Sequence, residues 1–219
     1  MTYLDRTDAG KKLAHALGDY RGKDALVLAL PRGGVIVGYE VARELEADLD
    51  VLIVRKLGSP YNPEFGIGAI ASGGARYLDA KAIAALHVPQ AYIERVEQQE
   101  RAELERRSRT YRGERPQPQI DGRLVILVDD GIATGGTARA AVRALRQANP
   151  ARLVLAVPVA PPSTVAALAG EVDEIVCPEM PLGFSAIGQW YQYFDQVSDE
   201  EVIDLLERHA LQRQNSGRE

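Results

Sequence analysis

The stretch that most limits what this chain can fold into runs from Arg123 to Thr137, R-L-V-I-L-V-D-D-G-I-A-T-G-G-T. Leu124 to Val128 is an unbroken apolar run, too short for a free-standing helix and branched enough for a strand buried on both faces. Two adjacent carboxylates, Asp129 and Asp130, stand where that strand should end. Small residues follow from Gly131 to Gly136, with hydroxyls at Thr134 and Thr137. Ala138, Ala141, Val142 and Leu145 then recur at helical spacing, with Arg139, Arg143 and Arg146 on the opposite face. The unit reads as strand, acidic pair, small-residue loop, amphipathic helix. Adjacent acids at a buried strand end need a reason, because an unpaired buried carboxylate is costly.

The same unit recurs upstream. Ala25 to Leu30 is a strand candidate, Pro31-Arg32-Gly33-Gly34 an abrupt turn, and Gly38, Val41, Ala42 and Leu45 a helix face. Leu49 to Val54 reads as the next strand, ending in Arg55-Lys56-Leu57-Gly58. Further strands are expected at Leu153 to Val159 and Glu174 to Cys177, with a short Ala-rich helix from Pro161-Pro162-Ser163 between them. Strands alternating with helices predict an α/β fold, a mainly parallel twisted sheet flanked by helices.

Three loops therefore fall at the ends of predicted parallel strands: Pro31–Gly34, Arg55–Gly58 and Asp129–Thr137. Ligands of open parallel sheets bind outside those ends. A loop opening a helix offers unpaired N–H groups and the positive end of the helix dipole, which suit a phosphate dianion. Arg32 with the Gly33 and Gly34 amides, and the cations Arg55 and Lys56, face that cradle from the other two loops. The combination implies a ligand with phosphate at both ends.

These motifs resemble the type I phosphoribosyltransferases, which bind 5-phosphoribosyl-1-pyrophosphate (PRPP). Four apolar residues, two acids and x-I-A-T-G-G-T match the family's central signature, with Gly131 standing where an aliphatic residue is usual. P-R-G-G is similar to its pyrophosphate loop, and R-K-L-G to a basic pair in the adenine and orotate members. P-R-G-G-V, V-R-K-L-G, N-P-E-F-G-I-G-A, V-D-D-G-I-A-T-G, V-P-V-A-P and G-Q-W-Y further resemble a bacterial group described only generically as phosphoribosyltransferases. The resemblance spans roughly residues 4 to 207.

The resemblance implies transfer of the phosphoribosyl group from PRPP to a nitrogen nucleophile, a nucleobase or related heterocycle, with release of pyrophosphate. The enzyme would be a Mg²⁺-dependent glycosyltransferase of the pentosyl class. Asp129 and Asp130 would hold the ribose hydroxyls and, through them or water, the metal. Ala133, Thr134, Gly135, Gly136 and Thr137 would grip the 5′-phosphate. Arg32, Gly33, Gly34, Arg55 and Lys56 would hold the pyrophosphate, and Arg55 and Lys56 would join the acids in catalysis. A non-catalytic PRPP- or nucleotide-binding regulatory module is the alternative, since binding uses the same groups. In the hypoxanthine and guanine enzymes the third residue after the acidic pair is an aspartate that takes a proton from the purine. Here it is Ala133.

Other classes fit poorly. Gly131 to Gly136 has the glycine spacing of a Walker-A loop but Thr137 where lysine belongs. No G-x-G-x-x-G opens a helix after a strand. Gly183-Phe184-Ser185-Ala186-Ile187 starts like a nucleophile elbow but lacks the final glycine and follows Pro181. A net charge of −5 and a sequence pI near 5.4 argue against a nucleic-acid partner. Cys177 is the single cysteine, and His15, His87 and His209 are scattered, so no disulfide or metal cluster is expected. With no signal-like start and no apolar run near 18 residues, a cytoplasmic protein off the membrane is the expectation. A homo-oligomeric state is left open.

The chain reads as one domain, residues 1–219, with a core at about 20–177. A small hood is expected from the N-terminal segment and about 178–195, where Phe184, Trp190, Tyr191, Tyr193 and Phe194 crowd together. These aromatics read equally as a plug over the sheet edge or as a base-stacking lid. Asp5 to Tyr20 and Pro89 to Tyr111 are predicted helices, the second with a charged, solvated face. Ser59 to Gly74 is expected to be a mobile loop with one short strand, paired across Ser72-Gly73-Gly74 with Arg76 to Leu78. Ser198 and Glu201 form a capping box for a last helix over 198–211, with a frayed tail from Gln212.

Overall fold

The computed structural model describes residues 2–60, 62 and 65–216, without the side chains of residues 215 and 216. The apolar runs form a five-stranded, wholly parallel sheet from β1 (Leu26–Ala29), β2 (Asp48–Val51), β6 (Leu124–Val128), β7 (Arg152–Ala156) and β8 (Glu174–Val176). Their order is β2-β1-β6-β7-β8. The chain thus winds one way from β1 to β2 and the other way from β6 onward. The reversal lies between β1 and β6, paired from Leu26↔Val125 to Ala29↔Val128. That is the topological switch point, outside whose carboxyl edge ligands settle in open α/β sheets.

Both faces of the sheet are covered, which explains the unbroken apolar strands. Val27, Ile126, Val128, Val154 and Ala156 pack with Leu13, Leu17, Val37, Val41 and Leu45 of α1 (Arg6–Ala16) and α2 (Gly33–Leu45), together with the turn after α1. Leu28, Val125, Leu127, Leu153 and Leu155 pack on Ala138, Ala141, Val142 and Leu145 of α5 (Gly136–Gln147). Asp5 caps α1 by accepting the Asp8 N–H at 2.8 Å. Full burial of each such Leu or Val side chain contributes about 1.5–3 kcal/mol.

Between β2 and β6 the chain leaves the main sheet. β3 (Val54–Gly58), β4 (Gly66–Ala71) and β5 (Arg76–Leu78) form a separate antiparallel sheet, followed by α3 (Ala80–Ala85) and α4 (Gln90–Arg112). This corrects the expected strand from Leu49 to Val54. The run Val51-Leu52-Ile53-Val54 is divided between two sheets, and no Gly or Pro marks the division. Ser72 makes it, donating its N–H to the Ile53 carbonyl at 2.8 Å while its Oγ accepts the Ile53 N–H at 3.1 Å. Arg55–Gly58 therefore belongs to a strand rather than to a loop at a parallel strand end. The hairpin of β4 with β5 forms as the sequence suggests. Of the predicted mobile loop, Tyr61, Pro63 and Glu64 lie outside the described residues. The C-terminal end of α4 is tied to β2 through buried Arg112, whose Nε donates to Asp50 Oδ1 at 2.9 Å and Nη2 to the Val51 carbonyl at 3.1 Å.

The remaining elements are α6 (Pro162–Leu168) and α7 (Asp199–Ser216), with a 3₁₀ turn at Ile187–Trp190. The capping box forms: Ser198 N–H donates to Glu201 Oε2 at 2.7 Å and Glu201 N–H to Ser198 Oγ at 3.2 Å. The helix runs on to Ser216, past the frayed tail expected from Gln212, because its polar residues carry tertiary contacts. Gln212 Nε2 donates to Tyr39 Oη at 3.2 Å and Arg213 Nη1 to the Glu46 carbonyl at 2.9 Å. Residues 217–219 of the expected tail lie outside the described residues. Among the described residues no helix is long and apolar enough to cross a membrane.

The docking of α7 carries a pH signature. His209 is buried, with Nε2 3.0 Å from the Ala47 carbonyl, and burial lowers its pKa below the ordinary 6.5. Its protonation then favours the unfolded chain, so stability is intact above about pH 6.5 and falls as pH drops below it. Melting temperatures at pH 8 and 5.5 should show a larger acid-side loss for the wild type than for His209→Gln. Equal losses would exclude this histidine as a source of acid sensitivity.

Candidate active site

Two loops meet at the switch point. After β1, Leu30 N–H donates to the Val128 carbonyl at 2.9 Å, which carries Pro31 and Arg32 across to the end of β6. The Pro31–Arg32 peptide bond is cis. Helix α2 then starts at Gly33 directly against the acidic pair. A Cβ on Gly33 would overlap Asp130 Oδ2 and lie 2.7 Å from Arg6 Nε. One on Gly34 would lie 2.9 Å from Asp129 Cα and 3.0 Å from Asp129 Oδ1. The close approach of the loops thus explains why small residues stand at both positions.

The two acids differ in surroundings. Asp130 is buried, and its Oδ2 accepts from Arg6 Nε at 2.7 Å. Arg6 Nη1 also donates to the Asp195 carbonyl at 2.8 Å, and its guanidinium lies 3.8 Å over the Phe194 ring. The Asp130 carbonyl accepts the Tyr191 hydroxyl at 2.5 Å. Burial keeps that hydroxyl protonated by pushing its pKa up. Asp129 is only half-buried by surface exposure, and its Oδ1 accepts the Asp130 N–H at 2.9 Å. Its pKa is raised well above the usual carboxylate value, first by desolvation and then by the neighbouring Asp130 charge.

Beyond the acids the chain makes an anion cradle. Ile132 is buried and its N–H donates to the Val159 carbonyl at 3.0 Å, anchoring the loop to the strand layer. Thr164 Oγ1 donates to the Ala133 carbonyl at 2.8 Å. Gly135 caps α5 in the left-handed region at φ 78°, where a side chain would be strained. The helix ladder opens with the Arg139 N–H on the Gly135 carbonyl at 2.8 Å, so the amides of Gly136, Thr137 and Ala138 come before its first bond. Thr134, Gly136 and Thr137 are exposed. The positive end of a 12-residue helix, hydroxyls and free amides converge there, as an anion site requires.

The basic residues are spread more widely. Arg55 and Lys56 are neighbours on β3 and point to opposite faces, as strand geometry demands. Arg55 Nε donates to Glu100 Oε2 of α4 at 2.5 Å. Lys56 lines a cavity of about 320 Å³ with Gly136, Arg139 and Arg143 of α5 and Tyr77 of β5. The structure therefore brings Lys56, but not Arg55, to the start of α5. Arg32 turns away from the acids, with Nη1 4.0 Å from Asp199 Oδ1, and lines a cavity of about 450 Å³ with Arg106, Arg107 and Tyr111.

A cover that sequence reasoning foresaw only in outline closes over β6. Tyr3 forms a bridge with Tyr191, and Gln192 and Tyr193 N–H groups donate to the Tyr3 and Leu4 carbonyls, each at 2.9 Å. Tyr3, Ala9, Val159 and Tyr191 are buried together, with Phe184, Ile187 and Trp190 packed on them. Ile187 fills the room left by the family-atypical glycine, its Cγ2 lying 2.7 Å from where a Cβ on Gly131 would be. Arg6 was missed altogether. Its one local sign is a cation in the first turn of a helix, where the dipole disfavours it. Asp130 supplies the compensation.

Comparison with known proteins follows the same lines. The model of the phosphoribosyl transferase domain matches residues 4–187. Two curated proteins from Mycobacterium tuberculosis strains, MT0597 and Rv0571c, provisionally named phosphoribosyl transferases, are each 47% identical over 204 residues. The alignment takes in 93% of this chain and 46% of theirs, so the chain spans about half the length of the curated relatives it matches. The crystal structure of TT1426 from Thermus thermophilus is 43% identical, covers 95% of this chain and 99% of its own, and superposes with a TM-score of 0.88.

The contact between the loops is open to direct test. Gly33→Ala should cost about 1–3 kcal/mol, the usual toll of overpacking, because neither Asp130 nor the buried Arg6 has room to retreat. Denaturant unfolding reads it, and a change below about 0.5 kcal/mol, the level of an ordinary surface substitution, would show that the loops are not so tightly opposed.

Proposed function

This chain belongs to the phosphoribosyl transferase family, and from that premise we propose that it moves the 5-phosphoribosyl group from PRPP to a nitrogen nucleophile, releasing pyrophosphate. The observation that carries the reading is the packing of Gly33 and Gly34 onto Asp130 and Asp129, beside the open start of α5. Amides, acids and an anion cradle then lie in the order that pyrophosphate, ribose and 5′-phosphate follow along PRPP.

In this reading the Gly136 and Thr137 amides and the Thr134 and Thr137 hydroxyls hold the 5′-phosphate, with Ala133 and Gly135 shaping the loop. The start of α2, through Gly33 and Gly34, holds the pyrophosphate, with Arg32 at its edge. Lys56 approaches from β3, while Arg55 braces that strand against α4. The bond from carbon 1 to pyrophosphate breaks as the bond to nitrogen forms, and positive charge grows on the sugar ring. The acidic pair holds the ribose hydroxyls and stabilises that charge electrostatically. Among the described residues no cluster of three His, Cys, Asp or Glu could hold a metal alone. Asp129 and Asp130 would therefore hold Mg²⁺ indirectly, through PRPP hydroxyls or water, since this ion keeps much of its water and is bound through few carboxylates. When bound, the ion neutralises charge on the leaving pyrophosphate. The whole chain acts as one domain in this account, with the N-terminal segment and residues from about 178 to 195 as a hood over the acceptor.

Calorimetry with PRPP and Mg²⁺, followed by a pyrophosphate-release screen across nucleobases, tests the proposal. Binding with release from at least one base is the expected result. Binding without release from any base would instead favour a PRPP-sensing module, and absence of binding would defeat both.

The acceptor is restricted by Ala133, which has no ionisable atom and cannot take a proton from a purine. Hypoxanthine and guanine should therefore be converted with kcat/KM below roughly 10⁴ M⁻¹s⁻¹, the lower end of ordinary enzyme efficiency. A steady-state value above that for either base would contradict this restriction.

A further inference from the structure

We propose that the cavity between the turn after β1 and helix α4 is a second anion site, which takes a diphosphate group on Arg32, Arg106 and Arg107. Gly33, Gly34 and the residues of α5 do not line it. The site is thus separate from the cradles assigned to PRPP, and it does not depend on the transfer reaction.

The helix supplies most of the wall. Glu103, Arg106, Arg107, Thr110 and Tyr111 recur at i, i+3, i+4, i+7 and i+8, so they share one face of α4. Arg32 closes the cavity of about 450 Å³ from the β1 side, and Asp199 from the start of α7. The acids present are already engaged. Glu103 is shared by two guanidiniums, with Arg106 Nε on its Oε2 at 2.8 Å and Arg107 Nε on its Oε1 at 2.7 Å. Asp199 Oδ1 accepts the Tyr111 hydroxyl at 2.6 Å. Arg32 Nη1 stays 4.0 Å from that oxygen, beyond hydrogen-bond reach, and no other acid pairs with it among the described residues.

Three cations against two carboxylates leave this corner positive in a chain whose formal net charge is −5. Most of the N–H donors on these guanidiniums remain unspent, and their planar forks match phosphate oxygens. The other walls offer little else. The Thr110 hydroxyl donates to the Arg106 carbonyl at 3.1 Å, and Tyr111 is buried in the core beneath α7. A ligand is therefore held by its charge rather than by a ring or an alkyl chain. One phosphate would reach only part of the cavity, whereas two linked phosphates reach the loop and the helix together. Arg32 gives the site a consequence. The next residue, Gly33, packs on Asp130, so an anion held here bears on the loop proposed to hold pyrophosphate. That link alone rests on the proposed function.

Calorimetric titration of inorganic pyrophosphate into the full chain, without metal and at low salt, tests the site. The side chains of Arg106 and Arg107 are 65% and 46% exposed, so Arg106→Gln/Arg107→Gln should fold with an unchanged melting temperature. This variant should bind one pyrophosphate fewer than the wild type, or bind it at least about tenfold more weakly, the scale of lost charge-assisted contacts. Glu103→Gln frees both guanidiniums and should tighten binding about threefold, a gain that damage to the fold does not produce. A nucleoside diphosphate in the same titration separates the sources. If its binding also depends on Arg106 and Arg107, the site reads a terminal diphosphate, and if only pyrophosphate binding does, it reads the free anion. Wild-type stoichiometry and affinity in Arg106→Gln/Arg107→Gln, or no binding of pyrophosphate by the wild type, would overturn the proposal. Failure of the wild type to bind PRPP while this dependence persists would defeat the proposed function and leave the second site standing.

Discussion

The structure turns on the contact between the turn after β1 and the acids after β6. Parallel strands β1 and β6 are neighbours in register, so both end at the same level and their loops must share one small space. They share it only because Gly33 and Gly34 have no side chains to place there. Once the loops are in contact, the starts of α2 and α5 converge on a single edge of the sheet. Positive helix ends, amides and carboxylates then lie within one ligand's length.

The second dependence is electrostatic. Two carboxylates on adjacent residues at a buried strand end repel each other and lose hydration. Arg6 resolves this for Asp130 through a contact that spans 124 positions in sequence. The arrangement draws the N-terminal segment and residues 187–195 over the site. The packing of Ile187 against Gly131 follows from the same closure. A glycine that looks like a departure from the family pattern in isolation is the space into which the cover fits.

Much of this was legible in the sequence where local pattern suffices. The run Leu124 to Val128, the acids after it and the helix face from Ala138 to Leu145 each follow from a periodicity within a few residues, and all appear in the structure. The capping box at Ser198 and Glu201 is likewise a three-residue pattern. The division of Val51-Leu52-Ile53-Val54 between two sheets was not legible, because Ser72 imposes it from nineteen residues away. That division sets Arg55 and Lys56 on opposite faces of a strand, so the adjacency that suggested a shared role separates them. Arg6 was hidden for the same reason, its meaning depending wholly on Asp130. In the sequence Gly33 reads as a route for ligand to the backbone, whereas its nearest demand is room for Asp130. Tertiary contacts, rather than weak local signals, account for each of these differences.

The central claim is that one ligand lies across the switch point, phosphate on α5 and pyrophosphate on α2. A crystal structure of the protein grown with PRPP and Mg²⁺ tests it most directly. The account predicts density for the 5′-phosphate at the amides of Gly136 and Thr137, and for the pyrophosphate at Gly33 and Gly34. A phosphate bound elsewhere, or a ligand whose two ends do not bridge these two helix starts, would contradict it.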